Sequence, residues 1–153
     1  MKQNFYLPAE WEEQSGVQLT WPHAGTDWAH MLKEVQSCFI EIAKEISKRE
    51  KLLIVAPDVE NVKKQICKKA NTDNIRFFEC ETNDTWARDH GGISILDKDG
   101  NIGIIDFKFN GWGLKFAANK DNLITRKIFQ SQLFNAQYIN CLNFVIEGGS
   151  IES

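Results

Sequence analysis

Lys51-Leu52-Leu53-Ile54-Val55-Ala56-Pro57-Asp58 reads as a compact apolar strand closed by a proline and followed at once by a helix-capping aspartate. Working downstream, Asp58 caps a helix running to Lys69, with Val62, Ile66 and Cys67 as its buried stripe and Lys63, Lys64, Lys68 and Lys69 spread over the solvated remainder. The polar cluster Asn71, Thr72, Asp73, Asn74 ends it, and residues 75–78 form the next strand. Upstream, Met31, Leu32, Val35, Phe39, Ile42, Ala43 and Ile46 recur at steps of three and four, which predicts one long helix over residues 28–49 with Asp27 at its N-cap. Before it, residues 17–21 alternate as a short strand that Pro22 delivers into the loop His23-Ala24-Gly25-Thr26. Strands alternating with helices predict an α/β layered domain whose functional loops lie at strand ends.

The second half begins with a hairpin. Residues 92–96 and 102–109 flank Asp97-Lys98-Asp99-Gly100-Asn101, and Asp-Gly between apolar runs is a strong short-range hairpin signal. After the turn-rich Asn110-Gly111-Trp112-Gly113 come a helix over residues 122–132, a strand near 136–141 and an extended piece over 144–153. Strand, strand, helix, strand is thereby repeated in outline. No repeat of sequence, linker or low-complexity tract divides the chain. Val145, Ile146 and Ile151 suggest a strand still in progress at the C-terminus, as in a chain cut inside a fold.

Composition excludes more than it assigns. The 153 residues carry 18 Lys plus Arg against 21 Asp plus Glu, a formal charge of −3, so no global positive field collects nucleic-acid phosphates. No signal-like or membrane-spanning apolar run is present, which points to the cytoplasm. Asn83-Asp84-Thr85 fits a glycosylation acceptor but has no route to modification without a secretory signal. Cys38, Cys67, Cys80 and Cys141 include no Cys-x-x-Cys pair and read as reduced, mostly buried thiols. His23, His30 and His90 lack metal-ligand spacing, so no metal is expected, and His90 reads as a supporting or surface residue.

Two stretches concentrate chemistry. Asn83-Asp84-Thr85-Trp86-Ala87-Arg88-Asp89-His90-Gly91-Gly92 packs acids, a base, an imidazole and an indole into one strand-to-turn connection. Were it extended, Asp84, Trp86 and Arg88 would share one face and Asp89 the other, so Trp86 and Asp89 meet one ligand only if the chain bends. Glu147-Gly148-Gly149-Ser150 places an acid after an apolar strand, before two glycines that permit close backbone approach. Each has a plain structural reading: ion pairing for Asp89 and Arg88, core packing for Trp86, and a hairpin or bulge for the glycines.

Together with Asp106-Phe107-Lys108-Phe109-Asn110-Gly111-Trp112-Gly113, the opening Pro8-Ala9-Glu10-Trp11-Glu12 and Trp21-Pro22, these stretches resemble, in order and along essentially the whole chain, the agmatine deiminases. The resemblance implies a partial pentein α/β propeller built of ββαβ modules, with residues 1–153 forming the N-terminal part of a single catalytic domain. It implies that Asp89, as a catalytic carboxylate, and Glu147 hold the substrate guanidinium, and that Trp86 lines the pocket beside its alkyl chain. A guanidinium is planar and protonated at neutral pH, with donors that suit carboxylates around its edge.

In that family a cysteine thiolate attacks the guanidinium carbon, ammonia leaves, and water assisted by a histidine releases the product, so agmatine becomes N-carbamoylputrescine without a cofactor. The nucleophilic cysteine, the histidine and a further aspartate belong to the later part of the family's chain, and none of the four cysteines here sits in the nucleophile's context. The fragment by itself is therefore expected to be inert. A peptidylarginine deiminase and a noncatalytic guanidinium-binding module are the rival readings, and self-association as a homo-oligomer stays open.

Overall fold

A computed structural model describes residues 4–153, which divide into two compact units: Gln14–Ala87, and Arg88–Ser153 joined by the N-terminal residues up to Glu13. Strand β1 (Phe5–Tyr6) belongs to the latter.

The first unit is a three-stranded parallel sheet in the order β2 (Val17–Thr20), β3 (Leu52–Ala56), β4 (Ile75–Glu79). Parallel neighbours need crossovers, supplied here by helices α1 (Leu32–Ser47) and α2 (Val59–Ile66). All five residues of β3 are buried, and the alternate set Leu52, Ile54 and Ala56 joins Ile40, Ala43, Val59, Val62 and Ile66 in one core. Asp58 does cap α2, its Oδ1 accepting from the Asn61 amide at 2.9 Å. The helix stops at Ile66, however, which leaves Cys67 exposed outside the stripe assigned to it. The expected helix from residue 28 also needs correction: residues 29–31 form a 3-10 turn, and α1 starts only at Leu32. Asp27 does not cap a helix: neither the 3-10 turn nor α1 has a side-chain cap bond, and the Asp27 amide donates to the Asp84 carboxylate. Met31 and Ile42 are exposed, and the deepest positions of α1 are Ile40, Ala43 and Ser47.

The second unit is a mixed sheet in the order β1, β5 (Ile93–Asp97), β6 (Ile102–Lys108), β7 (Gln137–Val145). The β5–β6 hairpin forms where Asp-Gly predicts it. Asp97 Oδ1 accepts from the Asp99 and Asn101 amides, each at 2.9 Å, and Gly100 takes the left-handed conformation at φ +79°. Residues 111–114 (α4, Gly111–Leu114) and a 3-10 turn at Asp121–Leu123 lead into helix α5 (Ile124–Gln130), which crosses back so that β7 lies parallel to β6. Ile124 and Ile128 bury its inner face. This unit therefore runs ββαβ, whereas the first runs βαβαβ without a hairpin, so the repeat read from the sequence holds once rather than twice. The extended C-terminal piece is interrupted by a 3-10 turn at Gly148–Ser150.

Candidate functional site

Within the second unit the turn at residues 147–149 packs on the turn bearing Asp89, and glycine is the reason. Residues Ala87–His90 are not extended but form a single helical turn, α3. Beyond β7 one further ladder bond, from the Ile146 amide to the Lys108 carbonyl, holds the chain in line up to Glu147. There it turns sharply: the Glu147 carbonyl accepts from both the amide and the hydroxyl of Ser150, at 3.0 and 2.7 Å. The turn lays Gly148 so close over α3 that a Cβ on it would overlap the Arg88 carbonyl oxygen, and a Cβ on Gly149 would stand 3.0 Å from Asp89 Oδ1. Two half-buried acids, 58 residues apart in sequence, thereby stand on turns that meet at one seam of this unit. Arg88 is occupied structurally, its guanidinium donating to the Ile151 carbonyl at 2.6 Å. A cavity of 420 Å³ in the same unit is lined by Arg88, Gly92, Ser94 and residues 151–153, and by neither acid.

His90, next to Asp89 in sequence, is buried rather than superficial, its ring 6.5 Å from that of Phe109. Burial penalises the imidazolium and pushes the His90 pKa down to about 4. A neutral His90 therefore stabilises the fold above the ordinary histidine value, and this contribution is lost as pH falls from about 6.5 towards 4. The loss amounts to about 3 kcal/mol, because each tenfold weakening of proton binding corresponds to about 1.4 kcal/mol. Urea titrations between pH 7 and 4 should show this slope and its disappearance in His90→Phe; an unchanged slope in the variant would assign it to other groups.

Phe109 continues an aromatic row to Trp112, with centroids 4.9 Å apart and rings perpendicular, and thence to Phe116 at 5.7 Å. Trp112 is presented by a left-handed turn: φ is +62° at Gly111, +54° at Trp112, +80° at Gly113 and +65° at Leu114. The non-glycine members cost about 1–2 kcal/mol each, a strain that Asn110 helps to offset by accepting from the Gly113 amide at 2.9 Å.

Trp86 lies in the first unit, at the carboxyl end of the parallel sheet. Its indole is 40% exposed and contacts that of Trp28, with centroids 5.9 Å apart. The loops bearing the two rings are joined by further bonds, His23 Nε2 to Thr82 Oγ1 at 2.9 Å and the Asp27 amide to Asp84 Oδ1 at 3.3 Å. Helical periodicity places Trp28 inside α1, whereas it lies before the 3-10 turn at Ala29–Met31 with its ring against Trp86. The available signal is the density of turn formers before it.

Cys38 and Cys67 are exposed, Cys141 half-buried and only Cys80 buried, so the expectation of mostly buried thiols does not hold. Among the described residues no group of three or more His, Cys, Asp or Glu is placed to hold a metal ion, and no helix is long and apolar enough to cross a membrane.

Comparison with known proteins gives one consistent result. The profile of the Porphyromonas-type peptidyl-arginine deiminase family matches residues 6–153. An agmatine deiminase from Pseudomonas aeruginosa is 32% identical over 96% of this chain and 40% of its own. A C. jejuni agmatine deiminase with substrate bound, carrying serine in place of a cysteine, superposes with a TM-score of 0.85 at 35% identity, over 97% of this chain and 43% of its own. A Porphyromonas gingivalis crystal structure gives 0.84 at 47% identity, over 98% and 44%. The chain thus spans about two-fifths of the length of the proteins it matches.

Proposed function

Since the chain belongs to the Porphyromonas-type peptidyl-arginine deiminase family, we propose that it is the guanidinium-gripping part of an agmatine deiminase of the pentein propeller type. The observation that supports this reading is the seating of Gly148 and Gly149 against Arg88 and Asp89, which sets the turns bearing the two acids against each other. Carboxylates placed around a flat cation accept charge-assisted hydrogen bonds, fix its orientation and keep it protonated, so that its central carbon stays electrophilic. Trp86 offers an exposed indole for the alkyl chain.

The thiolate that attacks this carbon comes from the remainder of the protein. Sulfur adds to carbon and a C–N bond breaks as ammonia leaves. Water then cleaves the C–S bond of the thiouronium, giving N-carbamoylputrescine and restoring the cysteine. The exposed thiols of Cys38 and Cys67 suit a reducing, cytoplasmic setting.

Ammonia release by the complete protein tests the assignment. Agmatine should be turned over and an arginyl peptide should not. The opposite preference would make the protein a peptidylarginine deiminase, and tight agmatine binding without turnover would make it a binding module.

A further inference from the structure

Trp86 does not stand alone on its loop. Three bridges in succession tie residues 23–28, which follow β2, to residues 82–86, which follow β4: His23 to Thr82, the Asp27 amide to Asp84, and Trp28 to Trp86. Each strand of this clamp is itself rigid. On one side Thr26 bonds the His23 carbonyl through both amide and hydroxyl, at 3.0 and 2.8 Å, and the Ala29 amide bonds the Thr26 carbonyl. On the other, Asp84 Oδ1 also accepts from the Thr85 amide at 2.8 Å. Thr26 and Thr82 are buried, whereas the tryptophan pair closes the clamp at its half-exposed end. Two planes tilted by 45° and braced in this way leave the indole of Trp86 little freedom to rotate. Ligand sites of open α/β sheets gather beyond the carboxyl ends of the strands, which is where this pair lies.

We infer that Trp28 is a specificity-determining positioning residue: it sets the plane of the Trp86 indole and thereby selects guanidinium ligands that carry an alkyl chain over those that do not. The inference rests on the reading of Trp86 as the wall beside that chain and extends it to a residue outside the recognised motifs. Trp28 acts through Trp86, so it affects the fit of the chain and leaves the grip on the guanidinium head untouched.

Two probes separate these effects: agmatine, with a four-carbon chain, and methylguanidinium, which has the head alone. By calorimetric titration of the protein, Trp28→Ala should raise the Kd of agmatine about tenfold while that of methylguanidinium moves less than about twofold, and Trp28→Phe should restore agmatine binding to within about threefold. If Trp28→Ala does not fold, Trp28→Leu, which keeps bulk and loses the aromatic face, should show the same selective loss. Equal effects on both probes, or none on either, would overturn the assignment of Trp28 and leave the guanidinium site standing. Failure of the wild type to bind either probe would remove the site and the assignment together.

Discussion

Asp89→Asn and Glu147→Gln should each weaken agmatine binding by about 100-fold or more, the largest functional effects expected in this chain. Each charge-assisted hydrogen bond is worth about 1.5–3 kcal/mol, and a carboxylate facing the edge of a guanidinium accepts two. The amide keeps one acceptor and turns an N–H₂ towards ligand N–H groups, so one bond is lost and a donor–donor clash is gained. Asp89 and Glu147 are both half-buried and stand on turns that meet at one seam, so neither can be replaced by water without cost. Calorimetric titration measures this directly. Losses below about fivefold in both variants would mean that the two acids do not share a cationic ligand.

Gly148→Ala should have the largest effect on stability, about 3 kcal/mol, at the top of the range for overpacking. The obstacle is the Arg88 carbonyl oxygen, a backbone atom, so either the helical turn α3 or the Glu147 turn must move. Gly149→Ala is the informative control. Its Cβ would meet the Asp89 carboxylate at 3.0 Å, a side-chain terminus that can yield by a few tenths of an ångström. That variant should unfold near the wild-type urea concentration yet bind agmatine poorly, because the group that yields is the one that grips. Equal denaturation midpoints for Gly148→Ala and wild type would show that the seam is looser than its geometry indicates.

What is legible in the sequence follows from how local each signal is. Asp58 and the Asp97-to-Asn101 turn act through hydrogen bonds spanning two to four residues, and both form as read. Periodicity misplaces the start of α1: residues 29–31 take a 3-10 turn with no side-chain cap, and the loop before it is tied instead to Asp84, 57 positions from Asp27. Residues 23–28 thereby form one side of the Trp86 clamp. Extended geometry at residues 83–92 fails for a related reason: Asp84 bonds the next amide and starts a turn. The Gly148-Gly149 pair announces a close approach, and Glu147 and Asp89 are readable as acids. That the approach is to the turn bearing Asp89 depends on the β6–α5–β7 crossover, which no local pattern encodes.

Strand β3 has one more consequence. Its end is the attachment point of both clamp loops: the Trp21 amide bonds the Val55 carbonyl at 2.8 Å, and the Cys80 amide bonds the Ala56 carbonyl at 2.9 Å. Central strands sealed from solvent open only with the whole unit, so the roots of both loops share the slowest breathing of this part of the protein. The bridges from His23 to Thr82, Asp27 to Asp84 and Trp28 to Trp86 consequently hang from the segment of this unit that is last to open.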